Sequence, residues 1–102
     1  TPYQAGRWQH GWHVRPEPKK NLKVPPAETI RTFYWDTILH SKPQLEFLVQ
    51  EFGAAHVILG SDYPYDMGTF ECARQVKALS CGEMEKLTIL NGLVQKLLAG
   101  VN

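Results

Sequence analysis

The sequence is short of several things at once, and each shortage closes off a class of protein. Its 102 residues include only two cysteines, Cys72 and Cys81. They have neither CxxC spacing nor the numbers for a disulfide framework, so reduced thiols in a cytoplasmic protein are the plain expectation. No apolar run approaches the roughly 18 residues needed to span a bilayer. No charged segment leads into an apolar stretch at the start, so no signal peptide is expected in this chain; it opens on Thr1-Pro2 rather than Met, as a processed, truncated or tag-cleaved product would. An excess of one charge is missing too. Eleven Lys and Arg face ten Asp and Glu, a net +1, and so weak a field argues for neither nucleic acid nor an anionic membrane as partner. Internal repeats and low-complexity tracts are absent. What remains, 43% hydrophobic and 21% charged residues, is the composition of one ordinary globular domain or less.

The best organised stretch is His56-Val57-Ile58-Leu59-Gly60-Ser61-Asp62-Tyr63-Pro64. Three apolar residues run into a glycine, a serine and an acid, which reads as a short buried strand that stops with a carboxylate at its carboxyl end. In folds with parallel strands, ligands bind just beyond such ends. Asp62 is therefore the first candidate for chemistry, although an acid there could also cap the following segment by accepting backbone N–H bonds.

Upstream, Trp8 and Trp12 are four apart and share a helix face. Residues 15–26 carry four prolines with Lys19, Lys20 and Lys23, and read as a long, mostly extended loop. Residues 27–31 allow one helical turn, and 32–37 have the β-branched and aromatic content of a strand ending near an acid. Ser41 and Gln44 have capping-box spacing for a helix through Leu45, Leu48, Val49 and Phe52, closed by Gly53. Strand, helix and strand within about 30 residues make a right-handed βαβ unit, hence two parallel strands. Helices follow over about 69–79 and then through Met84, Leu87, Leu90, Val94 and Leu97. Ser80 and Glu83 cap the second of these, and Asn91-Gly92 is expected to interrupt it. Two parallel strands cannot close a barrel and leave both edges open.

Phe33-Tyr34-Trp35-Asp36-Thr37, His40, Leu45-x-x-Leu48, Phe52-Gly53 and the Gly60-Ser61-Asp62-Tyr63-Pro64 block together resemble the amidohydrolase-related superfamily, within it the aminocarboxymuconate-semialdehyde decarboxylase-like branch. Gly6-Arg7, His10-Gly11-Trp12 and Arg15-Pro16 fit the same branch. The resemblance implies a (β/α)8 TIM barrel that binds a divalent metal, usually zinc and sometimes manganese. It implies that Asp62, at the position of the acid after the last barrel strand, ligates that metal or orients its bound water. It also implies that Arg7 grips a substrate carboxylate from the neighbouring subunit of a dimer. The superfamily's H-x-H pair and its middle-strand histidines are missing here, and a barrel needs roughly 250 residues. The expected fold class is thus α/β: the carboxyl-terminal part of such a barrel, residues 1–102 as a single unit, with about two parallel strands and flanking helices. Asn91-Gly92 stands where the family reads Gly-Asn.

These residues lead to one expectation and one alternative. The first is a segment of a metal-dependent decarboxylase or hydrolase acting on a small carboxylate substrate, inactive by itself. Asp62 serves catalysis and metal, Arg7 binds substrate, and His40, in the loop after a strand, is a weaker substrate contact. One carboxylate does not hold zinc against water, so no ion is expected to bind tightly to this chain alone. The partners are a second copy or the remainder of the barrel. The alternative is a non-catalytic fragment or self-associating structural module. Asp36 reads as a structural hydrogen-bond partner, and His10, His13 and His56 as surface or partly packed histidines. The aromatic residues read as core or interface, since no basic stripe accompanies them.

Overall fold

A computed structural model describes residues 1–100. They form two compact units, one ending at Phe33 and the other beginning at Tyr34. In the first, a 3-10 turn (Pro2–Gln4) leads into α1 (Ala5–Val14), followed by α2 (Pro18–Asn21) and α3 (Pro26–Ile30). The expected extended loop over 15–26 therefore contains a helical turn and runs straight into another. Proline's fixed φ suits the first turn of a helix as well as extended chain, and Pro18 and Pro26 each take that role. α1 packs against α3, joined where the Gln9 side-chain oxygen accepts the Ala27 N–H at 3.0 Å.

The second unit contains the predicted strand–helix–strand. Strand β1 (Trp35–Asp36) pairs parallel with β2 (Val57–Ile58), Trp35 opposite Val57 and Asp36 opposite Ile58. Both strands are shorter than their patterns suggest. Thr32 and Phe33 instead donate back to Thr29 and Ile30, completing the turn after α3, and a strand persists only where a partner offers a ladder. Between the strands, α4 (Lys42–Phe52) buries Leu45, Leu48 and Val49, spaced as one helix face requires. With Val57, Val76 and Ile89 these residues make the core. Gly53 ends α4 at φ 86° and ψ 151°, a region essentially closed to side-chain-bearing residues.

Neither capping box forms. Ser41 is the N-cap of α4 but makes no side-chain cap bond. The later helix, α6 (Glu83–Leu87), follows Gly82 rather than Ser80. Ser80 instead donates its N–H to Glu46 Oε1 at 2.9 Å. α5 (Cys72–Lys77) begins later than residue 69, and the Thr69 N–H goes to the Ser61 carbonyl. Asn91 and Gly92 do not break the last helix. They lie in a π-helical turn (Thr88–Gly92) that joins α6 to α7 (Leu93–Ala99), with the Leu93 N–H donated five residues back to Thr88. Cys72 and Cys81 are both free and half-buried. Burial raises the Cys81 thiol above its ordinary pKa, and the nearby Glu85 carboxylate adds to that. No helix among the described residues is long and apolar enough to cross a membrane.

Candidate functional site

Where β1 and β2 end, Thr37 ties them together. It is 1% exposed, and its hydroxyl donates to the Gly60 carbonyl and accepts the Gly60 N–H, each at 3.2 Å. One side chain thus satisfies both backbone groups of the residue that ends the second strand's run, where either left unpaired would be costly. Asp36 accepts the Ile38 N–H on Oδ1 at 2.9 Å, the structural part its sequence position suggested.

Beyond Gly60 the chain makes a loop held by its own backbone. Ser61 accepts the Thr69 N–H at 2.8 Å, Asp62 accepts the Tyr65 N–H at 2.9 Å, and Tyr65 accepts the Gly68 N–H at 3.0 Å. The Tyr63–Pro64 peptide within it is cis. Gly68 fits because it has no Cβ: one would stand 2.6 Å from the Ser61 carbonyl oxygen and 3.0 Å from those of Asp62 and Tyr65. Asp62 itself lies in the left-handed region at φ 57°. Its carboxylate is exposed and makes no hydrogen bond or ion pair among the described residues. The capping role that its position also allowed is therefore not taken up.

His40, at φ 51°, is brought to the same loop: its Nε2 lies 2.6 Å from the Met67 carbonyl oxygen. A carbonyl only accepts, so the imidazole donates through Nε2–H. His40 also borders a cleft of about 170 Å³ with Thr37, Ser41, Lys42, Leu45, Gln75 and Ala78. On the loop's outer surface Tyr63 and Phe70 pack ring to ring at 5.7 Å while remaining mostly exposed.

Arg7 belongs to the amino-terminal unit. There it lines a cleft of about 740 Å³ with Trp8, His10, Trp12 and Arg15 among others. Arg7, Gly11 and Arg15 recur at helical spacing, and Lys19 Nζ stands 5.0 Å from the Trp12 ring centroid. No carboxylate pairs with Arg7 among the described residues. His13 meets Gln9 at 2.8 Å and His56 stacks on Tyr34, so both histidines have structural partners.

Comparison with curated proteins gives two strong matches. The 2-amino-3-carboxymuconate-6-semialdehyde decarboxylase of Caenorhabditis elegans is 34% identical over 96 residues, covering 90% of this chain and 24% of the relative. The enzyme of the same name from Dictyostelium discoideum is 31% identical over 93 residues, covering 89% and 26%. Over most of its length the chain is similar in sequence to these two enzymes. No protein-family profile matches it. The resemblance first visible in the Gly60-to-Pro64 block thus extends over most of the sequence, while the chain spans about a quarter of the length of these relatives.

Among the described residues no three His, Cys, Asp or Glu side chains stand together as a metal would need, whereas zinc sites take three or four protein ligands. Asp62 offers one carboxylate without companions. The sequence singled out Asp62, His40 and Arg7 as candidates, and its reading passed over the structural parts of Gly68 and Thr37. Gly68 is the one glycine in its loop, and that is the signal that could have marked it.

Proposed function

We propose that this chain is the carboxyl-terminal portion of a metal-dependent decarboxylase or hydrolase with a TIM-barrel fold, cytoplasmic, acting on a small carboxylate-bearing substrate. One observation carries the reading: an exposed, uncommitted carboxylate, Asp62, held in left-handed backbone beyond the carboxyl end of a parallel strand. Two curated relatives named as decarboxylases support it.

In the complete enzyme Asp62 would present its carboxylate to a divalent ion, zinc or manganese, whose other ligands come from elsewhere. Arg7 would grip a substrate carboxylate, and the planar guanidinium suits that because it meets a carboxylate in bidentate fashion. The surroundings agree: Arg15, Lys19, Lys20, Lys23 and Arg31 share the stretch up to Phe33 with only Glu17 and Glu28. The complete protein would be a dimer.

Asp62→Ala should abolish turnover in the complete enzyme, by several orders of magnitude in kcat; retained activity would sink the assignment. Zinc titration calorimetry on the 102-residue chain, beside the same variant, asks a separate question. Tight binding lost in the variant would mean that copies of this chain assemble a site between them.

A second reading, a self-associating module, is favoured by the sheet itself. Among the described residues β1 and β2 pair only with each other, so each leaves an edge that invites another strand.

A further inference from the structure

We propose that His40 is a positioning residue for Asp62: its imidazole latches the loop that carries the carboxylate. The inference rests on the reading of Asp62 as the functional group. It starts from the backbone. Two non-glycine residues among those described have positive φ, His40 at 51° and Asp62 at 57°. Each lies four residues beyond the last residue of its strand, Asp36 and Ile58. Such backbone persists where the surroundings over-determine it, and it gathers at sites where geometry matters. Here the two outliers are joined. The turn at His40 places its ring against the loop that Asp62 opens, and Nε2–H donates to the Met67 carbonyl at 2.6 Å.

Among the described residues, the loop's other hydrogen bonds are its own. Thr69 closes it on Ser61, Tyr65 on Asp62, and Gly68 packs against three carbonyls. The ring's donor is the tie from this loop to the segment after β1, while Thr37 ties the strand ends just before both. The proton on Nε2 fixes the neutral tautomer, leaving Nδ1 with a lone pair. The imidazolium donates from both nitrogens, so protonation keeps the latch.

Three forms of the 102-residue chain test this: wild type, His40→Phe, which keeps an aromatic ring without a donor, and His40→Gln, which restores an N–H donor of similar reach. In wild type, 15N spectra of the imidazole should show the Nε2–H tautomer; the Nδ1–H tautomer overturns the latch without any variant. In His40→Phe, amide exchange at Thr69 and Tyr65 should quicken roughly 2- to 12-fold, the worth of one exposed hydrogen bond, and His40→Gln should bring it back. Unchanged exchange in His40→Phe overturns the proposal. In the complete enzyme, kcat should fall in His40→Phe with KM held and recover in His40→Gln. A loosened loop with unchanged kcat, or a Gln variant as poor as Phe, overturns the positioning role. If Asp62→Ala leaves turnover intact while the exchange pattern holds, the functional reading fails and the latch stands.

Discussion

At Gly68 a side chain has no room, and at Gly53 it has room but no permissible backbone. The Cβ of an alanine at 68 would meet backbone carbonyls that cannot swing aside, so Gly68→Ala should lower stability by about 1–3 kcal/mol through forced displacement of the loop. Urea denaturation of the chain measures it, and a loss below about 0.5 kcal/mol would mean the loop gives way freely. Glu46 gives the pH-dependent counterpart. Hydrogen bonds from the Ser80 side chain and its backbone N–H hold the carboxyl below its ordinary 4.5, with Lys42 at 3.8 Å a lesser contributor. A depressed folded-state pKa stabilises above the unfolded value and loses its effect as pH falls through the folded one. Glu46→Gln should therefore be less stable than wild type at neutral pH, with the gap closing as pH falls below 4.5. Urea midpoints for both proteins across that range check it; a gap independent of pH would count against the assignment.

Among the elements, the last helical stretch departs most from what its residues suggest. Asn91 and Gly92 favour turns in isolation, yet Gly92 has ordinary helical angles, φ −62° and ψ −43°. The extra residue per turn is absorbed in the π-helical geometry of Thr88–Gly92, which keeps Ile89 fully buried and Leu93 nearly so. Burial of those two side chains outweighs local preference. A Cβ on Gly92 would come no nearer than 3.7 Å to a neighbouring atom, so Gly92→Ala should stabilise the chain by roughly 0.5–1 kcal/mol. A raised Tm in thermal denaturation confirms it; a lowered one would mean that the π turn needs glycine. The unmade capping boxes teach the complementary lesson. Ser41-x-x-Gln44 and Ser80-x-x-Glu83 have the right spacing, but Ser80 is drawn instead to Glu46, 34 residues away in sequence.

For the whole molecule, the open strand edges set the expectation. Two strands of two residues each expose unpaired backbone on both sides, and isolated sheets of that size are marginal in water. The chain should sediment above its 11.6 kDa monomer mass in a concentration-dependent way; a stable, compact monomer at all concentrations would remove the self-association reading. Much of this protein was legible in its residues. The parallel pair, the helix between with Leu45, Leu48 and Val49 inward, its end at Gly53, and the acid beyond the second strand follow from periodicity and turn chemistry. These are local, short-range preferences, and nothing else in the chain contradicts them. Tertiary structure decided the rest. The strands extend only as far as each finds a partner, the Ser80 cap yields to a distant carboxylate, and Asn91-Gly92 stays helical because Ile89 and Leu93 are buried. The contact of His40 with Met67 joins residues 27 apart, a distance over which sequence pattern carries no geometry. Sequence placed the carboxylate of Asp62; folding alone decided what stands around it.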